Sequence, residues 1–150
     1  MITARYVHTN LIARDWPSLA AFYQNVFGCT SVGPERDLSG PAMEAATALP
    51  GARLRGAHLR LPGHGGNGPT LEIFQYEPEE PGLPPQINRP GFGHIAFLVA
   101  DVATARAAVL AAGGRDYGQT VAVPVPGAGT VTFVYVCDPE GNVIELQSWV

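Results

Sequence analysis

The sequence predicts an α+β chain built from two βαβββ units, and three spacings predict it. His8 opens an apolar run with Asp15 seven residues later, and His94 and Asp101 repeat that spacing 86 residues further on. Gly28 and Gly114, each placed to end the helix that follows its aspartate, are again 86 residues apart. Glu72 stands four residues after Gly68, and Glu145 stands four after Gly141. The two glutamates are 73 apart, so thirteen extra residues fall in the first copy between Gly28 and Gly68. Self-similarity of this kind constrains architecture more than any local signal. It divides one 150-residue domain into a first unit over 4–77 with a helical insertion near 36–50, a linker over 78–91 and a second unit over 92–150.

The first strand is expected over 6–13, where alternation sets Tyr6, His8, Asn10 and Ile12 on one face and Val7, Thr9 and Leu11 on the other. Asp15 caps a helix with Pro17 in its first turn, where a missing N–H costs little. Leu19, Phe22, Tyr23 and Val26 form its core-facing stripe and Gly28 stops it. The segment RDLSGPAMEAATALPGA reads as a short helix between turn residues. ARLRGAHLRLP is a strand, HGGNG a hairpin loop and TLEIFQY the next strand. EPEEPGLPPQINRPG, rich in proline and acid, is the linker.

The second unit repeats the plan. HIAFLVA is a strand, and VATARAAVLAA is a helix capped by Asp101 and ended by Gly113 and Gly114. GQTVAVPVP is a strand that its prolines confine to an edge or a bulge. GTVTFVYVCD and GNVIELQSW are strands joined by the turn DPEG.

Composition narrows the function. A net charge of −4 offers no electrostatic support for nucleic-acid binding. No apolar run approaches the roughly 20 residues needed to span a bilayer. The N-terminus lacks the regions of a secretory signal, and Cys29 and Cys137 form neither a CxxC pair nor a disulfide framework. The expectation is a cytoplasmic protein with reduced, partly buried thiols.

Strand alternation assigns the polar residues a side. Leu71 and Ile73 must face a helix, so Glu72 points away from it; Ile144 and Leu146 turn Glu145 outward in the same way. Ile95, Phe97 and Val99 leave His94, Ala96 and Leu98 on the far face, and Val7 and Leu11 do the same for His8. If the units pair as the repeat implies, His8, Glu72, His94 and Glu145 converge. Two imidazoles and two carboxylates suit Ni²⁺, Co²⁺, Zn²⁺, Mn²⁺ or Fe²⁺. Asn10, Ile12, Phe74, Tyr76, Ala96, Leu98 and Gln147 share those faces and are expected to line a substrate pocket. A lone histidine or glutamate on a strand is ordinarily structural; it is the repetition that lifts these four. His58 and His64 lack such a repeat and read as structural or solvent-exposed. GHGGNG lacks the lysine and strand-to-helix setting of a phosphate loop.

The strand with His8 that ends in ARD, together with FYQNVFG, LEIFQY, GFGHIAFLVADV and DPEGNVIELQ, resembles the vicinal-oxygen-chelate superfamily over essentially the whole chain. That group includes glyoxalase I, methylmalonyl-CoA epimerase, extradiol dioxygenases, fosfomycin-modifying enzymes and bleomycin-resistance proteins. The resemblance implies paired units whose curved sheets enclose a metal cavity. The His, Glu, His, Glu order is most similar to glyoxalase I. A fourth protein ligand argues against the extradiol dioxygenases, and an intact ligand set argues against a metal-free drug-binding protein. Those two readings stand as the alternatives.

The resemblance implies a metal-dependent lyase or isomerase that abstracts a proton alpha to a carbonyl and stabilises an enediolate, with Glu145 or Glu72 as the base. Glyoxalase I would carry a basic residue where Ile12 stands, an asparagine at Tyr76 and a lysine near VPGAG. Without them the glutathione hemithioacetal is not the expected substrate; a smaller or more apolar carbonyl compound, or the acyl end of a thioester, fits better. A homodimer is also expected, because βαβββ units leave open sheet edges.

Overall fold

A computed structural model describes residues 1–150. The chain divides into two compact units, Met1–Pro81 and Gly82–Val150. The first contains β1 (His8–Ile12), α1 (Trp16–Phe27), β2 (Thr30–Ser39), α2 (Pro41–Thr47), β3 (Arg53–Arg60) and β4 (Thr70–Glu77). The second contains β5 (Ile95–Leu98), α3 (Val102–Ala111), β6 (Arg115–Asp116), β7 (Val121–Val125), β8 (Gly129–Cys137) and β9 (Val143–Trp149). The βαβββ plan is therefore present twice, with the second strand of the second unit broken into β6 and β7.

In the first unit the strand order is β1-β4-β3-β2, with β1 parallel to β4 and the other pairs antiparallel. The second has β5-β9-β8-β6, with β5 parallel to β9 and β7 also paired to β8. Each unit closes by laying its first strand beside its last.

Local chemistry starts and stops the helices as the sequence predicts. Asp15 accepts from the Ser18 amide at 3.3 Å and from its hydroxyl at 2.6 Å, and Asp101 accepts from the Thr104 amide at 2.7 Å. Gly28 ends α1 at φ +70°, a conformation that a side chain would oppose. Helix α1 packs on β3 and β4, where Leu19, Phe22 and Tyr23 join Leu59, Leu71 and Ile73 in the core. Helix α3 packs on β8 and β9, and Val102 and Val109 share the second core with Val134, Val136, Ile144 and Leu146. Each such large side chain contributes about 1.5–3 kcal/mol by leaving water. This burial fixes which face of each sheet is left for chemistry.

Several boundaries differ from expectation. Strand β1 covers five residues rather than eight, and His94 lies just before β5 rather than inside it. The helix in the insertion is confined to Pro41–Thr47, because residues 36–39 pair with 53–56 and lengthen β2. A register shift between Val32 and Arg36 absorbs the Gly33-Pro34 dipeptide. The strand containing Pro124 pairs only with β8, the edge placement that its missing N–H requires. The two-residue β6 had no sequence signal.

Candidate functional site

The parallel closure of each unit builds a histidine–carboxylate pair. Asn10 of β1 lies opposite Glu72 of β4, and His8 is two residues before Asn10. Ala96 of β5 lies opposite Glu145 of β9, and His94 is two residues before Ala96. The same step in both units sets His8 Nε2 3.4 Å from Glu72 Oε2 and His94 Nε2 3.0 Å from Glu145 Oε2.

Glu72 is only 8% exposed and is supplied with partners at both oxygens. Asn10 Nδ2 donates to Oε2 at 3.2 Å, beside His8. His58 Nε2 lies 3.2 Å from Oε1. A carboxylate taken from water is costly unless so surrounded. The His58 ring sits edge-on to Phe74 at 5.6 Å and to His8 at 6.2 Å between centroids. Burial holds the His58 imidazole below its ordinary pKa; Glu72 opposes this, and the charges of Arg36 and His8 add to it.

In the second unit Tyr135 of β8 lies opposite Glu145, hydrogen-bonds to it and packs its ring 5.2 Å from His94. Burial foremost, then the Glu145 charge and that hydrogen bond, pushes the phenol above its ordinary range. Tyr135 is thus the counterpart of His58, each facing the glutamate from the neighbouring antiparallel strand.

His58, expected to be structural or solvent-exposed, is half-buried against Glu72. A signal for it was present. His58 and Glu72 stand seven residues either side of Gly65 in the hairpin, so antiparallel pairing sets them opposite one another. Tyr135 and Glu145 likewise stand five residues either side of Glu140. His64 is exposed in its loop, as expected.

The other anticipated site residues take varied places. Phe74 is buried on the Glu72 face, Tyr76 is half-buried further along it, and Ile12 is exposed. Ala96 and Leu98 are exposed, Leu98 at 73%. Gln147 is half-buried and accepts from Trp149 Nε1 at 2.9 Å.

The donor chemistry of each pair suits a divalent metal. Ligand atoms about 2.1 Å from a metal and at right angles are about 3 Å apart, close to the spacing of both pairs. No group of three or more His, Cys, Asp or Glu side chains is arranged to hold a metal. Cys29 and Cys137 are free, and both are buried. Burial pushes the Cys29 thiol up to about 11.

A twice-built βαβββ unit with a histidine on its opening segment and a glutamate on its closing strand defines a class of small mixed-sheet proteins. The family model for the glyoxalase/bleomycin resistance protein/dioxygenase superfamily matches residues 5–146, and the chain belongs to that superfamily. Among solved structures it is similar to a glyoxalase family protein of Bacillus cereus, at TM-score 0.73 and 16% identity, covering 100% of this chain and 95% of that one. A virulence protein of Salmonella typhimurium matches at TM-score 0.58 and 22% identity, with 100% of both chains covered. The genomically encoded fosfomycin resistance protein FosX of Listeria monocytogenes, complexed with Mn(II) and sulfate, matches at TM-score 0.55 and 16% identity over 100% and 95%. At these identities the likeness is one of fold. No curated protein matches the chain. No helix is long and apolar enough to cross a membrane.

Proposed function

We propose that the protein is a divalent-metal-dependent lyase or isomerase of the glyoxalase type, with His8, Glu72, His94 and Glu145 as metal ligands. The observation that carries this reading is the repeated construction of one N/O pair at equivalent steps of two parallel strand closures. An isolated ion pair has no reason to recur with its register intact. The Mn(II) in the FosX complex supports a metal of the same class.

When bound, a divalent cation supplies Lewis acidity toward the oxygens of a carbonyl substrate and stabilises charge developing there. The residues of the chain do the rest. Glu72, buried and held at both oxygens, has the fixed geometry of a permanent ligand. Glu145 is half-buried and held by His94 and Tyr135, so it is the carboxylate we assign to removing the proton alpha to the carbonyl. The Tyr135 hydroxyl donates to Glu145, orients it, and stays protonated because its own pKa is raised. Phe74 and Tyr76 supply apolar wall on the Glu72 face. Ile12 stands where glyoxalase I would carry a basic residue, which weighs against the glutathione hemithioacetal and favours a small 2-substituted carbonyl compound or its thioester.

Elemental analysis of purified protein should give about one divalent metal per chain, and Glu72→Gln and Glu145→Gln should each lose it. Full occupancy in both variants would remove the ligand assignment. Alpha-proton exchange in deuterated water separates the roles, since Glu145→Asp should retain metal but exchange slowly. With methylglyoxal and glutathione, kcat/KM should stay below roughly 10⁵ M⁻¹s⁻¹.

A further inference from the structure

The face of the first sheet that bears Glu72 also bears two arginines, and neither has an acid for a partner. Register places Arg60 opposite Thr70, one step along β3 from His58, and places Arg36 opposite Gly56, one step to the other side. The His58–Glu72 row is thus bracketed by guanidinium groups on one face. Both side chains are half-buried. Each hydrogen-bonds a backbone carbonyl of its own neighbourhood, Arg36 to Pro34 and Arg60 to Gly68, which orients the fork and leaves its charge uncompensated.

The opposite parity of β3 behaves differently. Arg53 meets Asp37 at 2.7 Å and Arg55 meets Glu77 at 2.5 Å. Acidic partners for arginine are available to this sheet and are found on that parity. Gly56 puts no side chain beside Arg36, and the strand irregularity between Val32 and Arg36 is the kind of feature that re-aims a side chain. In a chain with net charge −4, this face carries more cations than anions. Its one carboxylate, Glu72, is already engaged by His8, Asn10 and His58.

We propose that Arg36 and Arg60 bind an anionic oxygen group on the substrate, a carboxylate or its phosphonate equivalent. The inference rests on the reading of this face as part of the active site and adds the charge of the molecule that enters it. A guanidinium fork matches two oxygens of such a group at once. The carbonyl-bearing end then lies toward Glu72, in the row between the two arginines.

Isothermal titration of the metal-loaded protein with 2-oxobutyrate, methylphosphonate and the neutral 2-oxobutyramide tests this. At least one of the two anions should bind saturably, and roughly tenfold tighter than the amide. Whichever anion wins tells whether the site is shaped for a planar or a tetrahedral group. Arg36→Gln and Arg60→Gln should each weaken anion binding several-fold and leave the amide unchanged, with Arg36→Lys intermediate; thermal melts check that each variant is folded. The same titrations on chelator-treated protein separate this proposal from the metal assignment. Anion binding that survives chelation and falls with the arginine substitutions supports it, even if no metal is found in the protein as purified. Binding that disappears on chelation and ignores both substitutions assigns the anion to the metal and overturns it. Equal affinity for acid and amide, or no saturable binding of either anion, overturns it as well, while metal content and alpha-proton exchange remain free to stand.

Discussion

Gly56 shows how closely the backbone of the first sheet approaches the site. A Cβ added there would lie 2.1 Å from the Ile73 carbonyl oxygen and 2.3 Å from Phe74 Cδ1. Gly56→Ala must therefore push β3 from β4 as well as turn the Phe74 ring, a cost of about 1–3 kcal/mol for an overpacked position. Thermal melting should fall by at least about 2 °C, and an unchanged melt would contradict the geometry. Because Phe74 packs on His58, the variant should also bind metal more weakly. At this scale the sequence was only half legible. His8, Glu72, His94 and Glu145 stood out because each carries a repeat-related twin, and alternation settled their faces. His58 and Tyr135 occupy matching places but differ in residue type, so comparing the two copies hid them. Finding them required carrying the strand pairing through the hairpin, seven residues each way for one and five for the other. Arg36 was further out of reach, since its face depends on a register irregularity that no alternation predicts.

Elements are held by a few polar anchors whose loss should be measurable. Asp138, fully buried in the β8–β9 turn, accepts from the Glu140 and Asn142 amides at 3.0 and 2.9 Å and from Asn142 Nδ2 at 2.8 Å. Asp138→Ala strands these donors, at about 1–3 kcal/mol for a buried unsatisfied group, and loosens the hairpin that sets Tyr135 opposite Glu145. Urea unfolding and metal content should fall together; a stability change without metal loss would show that the turn does not control the site. The helix caps give a pH dependence. Hydrogen bonds from Ser18 and Thr104 hold Asp15 and Asp101 below their ordinary 3.8. A depressed folded value means that their contribution is present above that pH and is lost as pH falls through the folded value. Replacing Asp101 with asparagine should flatten the acid limb of a melt-versus-pH curve, and a limb unchanged in slope would count against the cap. Element types were readable because caps, glycine stops and alternation agree. The broken β6–β7 segment was not, since its shape follows from what β8 leaves free to pair.

For the whole molecule, open edges and apolar surface point to self-association. Strands β1, β2 and β5 each have only one strand partner, and Phe92 and Leu98 are broadly exposed nearby in the sequence of the second unit. We propose a homodimer, and light scattering should report about twice the 15.8 kDa chain mass; a monomer at micromolar concentration would refute it. The parallel closure of each unit has a further consequence, and it is kinetic. His8 and Glu72 are 64 positions apart, and His94 and Glu145 are 51 apart, whereas the antiparallel hairpins join near neighbours. Long-range pairing is slow because the intervening chain must be ordered first. Hairpins and helices should therefore appear early in refolding, with the histidine–carboxylate pairs among the last contacts to form. A newly made chain would then present each histidine–carboxylate pair only when its unit is complete.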